Sequence, residues 1–291
     1  MIPADFPVGL SKIADRYEAF VFDLWGVLHD GTALFAGVLP VFAGLRAAGK
    51  KIGILSNSPR PVVFAAANIA NKFSLRQGEH YDALLTSGQL AYEALQERGD
   101  AWLSRLGQRC LTIGPAHETA PYLALGLQAA AEPENADFIL CTGVAPGKEK
   151  LSDYEPQFSR WREAGLPLLC ANPDRTVMRG TRLGIAGGSI AEAYRTAGGD
   201  VRDDFGKPYE SVFKRIITEL QSTPTRCLMI GDNLHTDIWG ANSAGLRSMW
   251  ITTGVHAPEL ERLGIGTHEQ LRAYIAAQKR QATHMMSELR W

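Results

Sequence analysis

Cysteine is scarce in this chain, with four residues in 291, namely Cys110, Cys141, Cys170 and Cys227. They are widely spaced and form no C-x-x-C pair, which argues against a zinc cluster or a redox pair. Each lies in or beside an apolar run (RCLTIG, FILCTG, LPLLCAN, RCLMIGD), where a reduced thiol behaves as a small buried hydrophobe. An excess of either charge is also lacking: 30 basic residues face 31 acidic ones for a net charge of −1. That balance excludes a polybasic protein of nucleic acids or membrane surfaces. No apolar run approaches the roughly 20 residues that span a bilayer. The N-terminal MIPADFPVGLSKIADRY has no basic region followed by an apolar stretch, so no secretory signal is expected. Internal repeats and low-complexity segments are absent too. The expectation is a soluble, cytoplasmic protein with neither a nucleic-acid polymer nor a membrane as partner.

What is present is a 45% hydrophobic content, enough for a substantial core, in a chain long enough for one large or two unequal domains. Short β-rich runs alternate with helix-length segments: EAFVFDLW, TALFAGVLPVFAGLRAAG, KKIGILSN, VVFAAANIANKF. Runs that end at Gly, Asn, Ser or Asp and lead into helical patterns indicate βαβ units and a mainly parallel sheet. The alternation resumes with TRLGIAGG, SIAEAYRTAG, YESVFKRIITEL, TRCLMIGDN and LRSMWITTG. Between these blocks lies a second α/β stretch with its own strands (RCLTIG, ADFILCTG, LPLLCAN). The expected fold is α/β, a Rossmann-like three-layer core over 1–83 and 181–291 with an inserted α/β domain over 84–180. The tail, about 267–291, reads as a polar helical pattern whose terminal Trp291 packs against the body.

In parallel α/β sheets ligands collect at the carboxyl ends of the strands, and four such ends carry polar residues here. They are Asp23 after AFVF, Ser56 with Asn57 after KIGIL, Lys207 in DFGKPYE, and Asp232 with Asp237 in GDNLHTD. One aspartate at a strand end is commonly a turn former or helix cap; four ends in this order describe phosphoryl transfer through a covalent intermediate. Asp23 can attack phosphorus and divide hydrolysis into two easier steps. Converging carboxylates repel one another unless a cation neutralises them, and Mg²⁺, an ion of octahedral oxygen ligands, suits them. Asp23 and Asp232 are the expected direct ligands, with Asp237 coordinating or orienting a bound water. The Ser56 hydroxyl and its turn amides would bind phosphoryl oxygens, and Lys207 would offset charge in the transition state.

FDLWGVLHDG, ILSNS, GKP and GDNLHTDI resemble the four loops of the haloacid dehalogenase superfamily. ANPDR (171–175), GGSIAEAYRTAGG (187–199) and GDNLHTDIWGANSAGLRSMWITTGV (231–255) narrow the resemblance to its class IIA phosphatases, the group acting on nucleotides, p-nitrophenyl phosphate, pyridoxal phosphate and phosphoglycolate. The resemblance covers nearly the whole chain and is thinnest from about 90 to 165. It implies Mg²⁺ dependence, an aspartyl-phosphate, a cap between the second and third loops that chooses a small phosphorylated metabolite, and a metal ligand from the Trp25 backbone carbonyl. It also implies pairing of two copies through the cap. Asn172 and Asp174 lie where such a cap rejoins the core; contact with substrate and an Asn-Pro-Asp turn are competing accounts.

Trp25 departs from the family, which mostly reads Asp-x-Asp here and uses the second Asp to protonate the leaving alcohol and then activate water. An indole exchanges no proton at neutral pH, and a general acid is worth typically about 10²–10⁴-fold in rate. Three readings stay open. The first is a phosphatase whose acid is replaced by His29, His235 or a metal-bound water, or whose leaving group is good enough to need little protonation, as in an acyl phosphate. The second is a catalytically weak protein that binds a phosphorylated ligand. The third is a dehalogenase-like hydrolase, against which Asp232 and Asp237 preserve a cation site. For His29, beside Asp30, both proton transfer and a structural role are open, and for His235 a structural role is expected. GIAGGS (184–189) reads as a tight strand-to-helix turn, since its spacing is not the dinucleotide fingerprint. Trp102, Trp161 and Trp239 read as core or interface residues.

Overall fold

The computed structural model describes residues 4–179 and 182–291. The strands, in chain order, are β1 (Ala19–Phe22), β2 (Lys51–Ser56), β3 (Ala83–Thr86), β4 (Arg109–Ile113), β5 (Gln128–Ala130), β6 (Phe138–Cys141), β7 (Leu168–Cys170), β8 (Thr176–Arg179), β9 (Arg182–Ile185), β10 (Val201–Arg202), β11 (Cys227–Gly231), β12 (Arg247–Ile251) and β13 (His284–Met286). The chain forms two compact units. The first holds residues up to Ser56, Ala66–Leu85 and Lys207–Trp291; the second holds Asn57–Ala65 and Thr86–Gly206. The expected boundary between residues 180 and 181 lies outside the described residues, as do residues 1–3 of the N-terminal stretch.

The sheet of the first unit runs β13-β12-β11-β1-β2-β3. β1 pairs in parallel with both β2 and β11, β11 with β12, and β12 with β13. β1 (AFVF) and β11 (CLMIG) are buried throughout, as strands covered on both faces must be, and so they read as unbroken apolar runs. Connections lead from β1 one way to β2 and from β11 the other way to β12. With right-handed crossovers the helices then fall on opposite faces, and a switch point opens at the carboxyl ends of β1 and β11.

The second unit has its own sheet, β10-β7-β6-β4-β5, parallel at every pair. Its strands divide their side chains between two cores with the period of two that a strand imposes. Ile139, Cys141, Leu168 and Cys170 join Phe158, Trp161 and Tyr194 on one side. Phe138, Leu140, Leu169 and Cys110 join Tyr122 and Phe205 on the other. The helix Gly187–Thr196 belongs to the first of these cores through Ile190, Ala191 and Tyr194, and the chain stays in this unit until Gly206. β8 and β9 form a separate antiparallel pair, and the GIAGGS stretch is the turn from β9 into that helix. Among the described residues, no helix is long and apolar enough to cross a membrane. All four cysteines are free and buried; burial pushes the Cys110 thiol up to about 11.

The tail corrects one expectation. Only His268–Ala277 is helical; His284–Met286 then adds β13 to the sheet edge, paired with β12. The Thr267 capping box starts that helix, but a three-residue strand carries too little pattern to be read from sequence. Further hydrogen bonds come from the other end of the chain: Met285 N–H donates to Asp5 O and Asp5 N–H to Thr283 O. The Trp291 indole lies on the backbone of Gly44, so the terminal tryptophan does pack on the body. Trp102 and Trp161 sit in or against the cores of the second unit, whereas Trp239 is 47% exposed with the Arg280 guanidinium over its ring.

Beside β12, Trp250, Tyr274, Leu234, Ile238 and Met285 make a further core cluster, and His256 is buried against it. Its Nε2 accepts the Leu234 N–H at 3.2 Å, so the ring is neutral with its proton on Nδ1. Burial, and then the neighbouring His235, lower its pKa from 6.5 to about 4. The unfolded chain therefore takes up a proton at this residue as pH falls below 6.5, and the folded chain does not until about pH 4. The residue thus destabilises the fold progressively across that window, by up to about 3 kcal/mol. Denaturant unfolding at pH 7 and pH 5 is expected to show a smaller acid loss for His256→Gln than for the unsubstituted protein; equal losses would contradict this assignment.

Candidate active site

Asp23 immediately follows β1, and its amide donates to Ile230 O on β11 at 2.9 Å. The register pairs Phe22 with Ile54 on one side and with Ile230 on the other. Asp23, Ser56 and Asp232 thus leave the carboxyl ends of three adjacent strands. Lys207 joins them from the segment that re-enters the first unit, with a cis peptide bond to Pro208.

The turn after β11 is wider than an α-helical one. Leu234–Ile238 forms a single π turn in which the amides of Asp237 and Ile238 both donate to Asn233 O, while Asn233 Oδ1 caps the His235 amide at 2.8 Å. Such turns recur at functional sites because they redirect a side chain. Here Asp237 folds back over the end of the strand: a Cβ on Gly231 would lie 2.2 Å from Asp237 Cβ. Only a glycine leaves that space. Asp237 Oδ2 accepts the Asn233 N–H at 3.1 Å. Asp232 is fixed from β12, with Trp250 Nε1 donating to its carbonyl at 2.9 Å and the Val255 amide donating to Oδ2 at 2.7 Å.

These elements bring Asp23, Asp232 and Asp237 together, all buried, each offering a carboxylate oxygen within 4.8 Å of the others. Lys207 Nζ, itself buried, lies 2.5 Å from Asp23 Oδ1 and 2.7 Å from Asp237 Oδ1. One ammonium does not balance three carboxylates. Burial first, then the charges of Asp23 and Asp237, drive the Asp232 carboxyl well above its usual range, the sign of a site short of positive charge. Asp237 Oδ1 is buried, and although it is ion-paired to Lys207 it receives no hydrogen bond of good geometry among the described residues. Three oxygen donors, excess negative charge and an oxygen with lone-pair capacity fit a hard divalent cation such as Mg²⁺.

The remaining expected residues are distributed differently. Ser56 is buried at the end of β2. Asn57, Asn172 and Asp174 belong to the second unit, where Asn57 Nδ2 donates to Asp174 Oδ1 at 2.8 Å and the Asp174 amide donates to Asn172 Oδ1 at 3.1 Å. The Asn-Pro-Asp turn is thus real and is braced by Asn57. Trp25 is 41% exposed beside Asp23. His29 is buried: its Nδ1 accepts the Gly31 N–H at 2.9 Å, and its ring stacks on Phe73 at 4.5 Å. Burial, then Lys72, lower its pKa to about 4. A neutral, enclosed imidazole of this kind supports the structural role. His235 is exposed on the π turn, its ring 5.7 Å from that of His256. Sequence reasoning missed His256, Trp250 and Val255, which hold Asp232 and its turn; Trp250 lies in β12 and the other two just after it, with nothing but apolar character and a turn to mark them.

A model of haloacid dehalogenase-like hydrolases matches residues 20–128, and a second model of such hydrolases matches 204–277. A crystal structure of a hydrolase of the haloacid dehalogenase-like family from Brucella suis 1330 superposes with a TM-score of 0.80 at 30% identity, covering 98% of this chain and all of that one. Human chronophin is 29% identical over 286 residues, 92% of this chain and 88% of its own. The glycerol phosphate phosphatase of Mycobacterium tuberculosis, solved in complex with magnesium, is 28% identical, with a TM-score of 0.60 over 84% of this chain and 70% of that one. With these likenesses spanning both units and the acidic cluster at the switch point, the chain belongs to the class IIA branch of the haloacid dehalogenase-like hydrolase family.

Proposed function

We propose that the protein is a Mg²⁺-dependent phosphatase that hydrolyses a small phosphomonoester through an aspartyl-phosphate at Asp23. The observation that carries this reading is the buried triad of Asp23, Asp232 and Asp237 with Lys207 between two of its members. Kinship with a magnesium-bound glycerol phosphate phosphatase supports it. Asp23, Asp232, Asp237 and the Trp25 backbone carbonyl would hold the ion. Bound there, Mg²⁺ would neutralise carboxylate and phosphoryl charge and draw the phosphate toward Asp23. Lys207, ion-paired to Asp23, supplies positive charge where the transferring phosphoryl group accumulates negative charge. The Ser56 hydroxyl and the Ser56–Asn57 amides bind phosphoryl oxygens. Asn57, Asn172 and Asp174 are further substrate-binding residues, and the inserted segment over 84–180 selects the metabolite.

The buried, unpaired thiols and the balanced charge support a cytoplasmic place for the protein. Kinship with class IIA enzymes supports pairing of two copies through the second unit; sedimentation equilibrium is expected to give a dimer mass, and a monomer at tens of micromolar would refute the pairing.

Phosphate release from a panel of small phosphate esters tests the main reading. Turnover is expected to require Mg²⁺, to cease on chelation, and to fall to background in Asp23→Asn. Turnover by Asp23→Asn equal to that of the unsubstituted protein would remove Asp23 as nucleophile. Gly231→Ala is expected to push Asp237 off its position and weaken Mg²⁺ binding about 10–100-fold, read from the Mg²⁺ dependence of activity. An unchanged Mg²⁺ midpoint would show that Asp237 does not need the space above Gly231.

A further inference from the structure

The loop that carries Trp25 has two ionisable side chains besides Asp23, and both are committed elsewhere. His29 is 3% exposed; its Nδ1 takes the Gly31 N–H and its ring is stacked on Phe73. Asp30 Oδ1 accepts three hydrogen bonds, from the Thr32 amide at 2.7 Å, the Thr32 hydroxyl at 2.6 Å and the Ala33 amide at 2.8 Å. Three donors on one oxygen favour the ionised form. The Trp25 ring packs on its own loop. It meets His29 edge-on at 4.9 Å and covers Gly31 so closely that a Cβ there would fall 2.4 Å from Trp25 Cη2. Gly31 (φ +92°) is held in turn by Lys72 Nζ, which donates to its carbonyl. Beyond the loop, Asp232 and Asp237 are the carboxylates proposed to hold the ion, Lys207 is ion-paired to Asp23 and Asp237, and the exposed His235 ring lies 5.7 Å from that of His256. The first unit thus presents a nucleophile beside an indole that exchanges no proton at neutral pH.

We propose that the leaving group departs from this site as an anion, unprotonated, and that the substrates are therefore phosphates of weakly basic leaving groups, acyl or aryl phosphates, rather than phosphates of ordinary alcohols. This rests on the phosphatase reading above. An Asp23 carboxylate oxygen bonds to phosphorus as the bond from phosphorus to the leaving oxygen breaks. That oxygen keeps the electron pair and leaves as carboxylate or phenolate, needing no proton from the protein. Water then attacks the phosphorus of the aspartyl-phosphate, the bond to Asp23 breaks, and the proton passes to the phosphate released. An alkoxide is far too basic to leave in this way.

The test compares kcat/KM for acetyl, 4-nitrophenyl, phenyl, benzyl and glycerol phosphates at fixed Mg²⁺. Phenyl and benzyl phosphates are similar in size and aromaticity, so their ratio isolates leaving-group basicity from binding. The 4-nitrophenyl ester is expected to exceed the benzyl ester by about 10²–10⁴-fold, the usual worth of a general acid, with phenyl between. High turnover of acetyl phosphate alone would assign the acyl class; high turnover of the aryl esters as well would assign both. Trp25→Asp is expected to shrink the nitrophenyl-to-benzyl gap at least tenfold, and Trp25→Phe, which keeps an aromatic ring on Gly31, to preserve it. Benzyl and 4-nitrophenyl phosphates hydrolysed with equal efficiency, and both silent in Asp23→Asn, would overturn this proposal while leaving the phosphatase reading intact. Turnover insensitive to Asp23→Asn would overturn both.

Discussion

Three carboxylates forced into one buried space repel one another, and much of the surrounding structure makes sense as a way of holding them there. The backbone hydrogen bonds of β1 and β11 fix Asp23, the loop after β12 grips Asp232, and a widened turn folds Asp237 back over a glycine. Lys207 offsets part of the repulsion from its position between Asp23 and Asp237. What it leaves uncompensated appears in the raised proton affinity of Asp232. A site that is unfavourable alone and becomes favourable with a divalent ion is one whose geometry is kept for binding, at a cost in stability that the rigid strands on each side must carry.

Much of this arrangement was legible in the sequence because the same residues serve two purposes. AFVF and CLMIG are apolar enough to be central strands, and each ends at an aspartate, so a single pattern signals both the strand and the site. Lys207 was legible through its neighbours Gly206 and Pro208 in a recognisable loop. Other parts left no local signal. The helix Gly187–Thr196 is amphipathic, and an amphipathic pattern says that a face is buried but not against which sheet; Tyr194 chose Trp161 and Phe158 of the second unit. β13 is too short to show a period, and what makes it a strand is pairing with β12 and hydrogen bonding to Asp5, far away in sequence. The π turn at Leu234–Ile238 resembles an ordinary helix start until the room above Gly231 is seen.

Trp25 shows the limit from the other side. Sequence reveals that a proton donor is missing, but not whether another side chain has taken its place. Geometry narrows that question, because the two nearest candidates along the chain are each engaged: His29 accepts an amide proton, and Asp30 closes its own turn. A carboxylate placed at position 25 also removes the indole packed on Gly31, so the loop then holds its turn without that ring.

The four buried thiols have a practical consequence. Cys227 lies in the central strand of one unit, and Cys110, Cys141 and Cys170 lie in the sheet of the other. Alkylation of each sulfur must wait for its own unit to open. Mass-resolved labelling under native conditions would therefore time the breathing of the two halves separately in one untouched polypeptide. It would also reveal whether an ion at the acidic cluster tightens its own half or both.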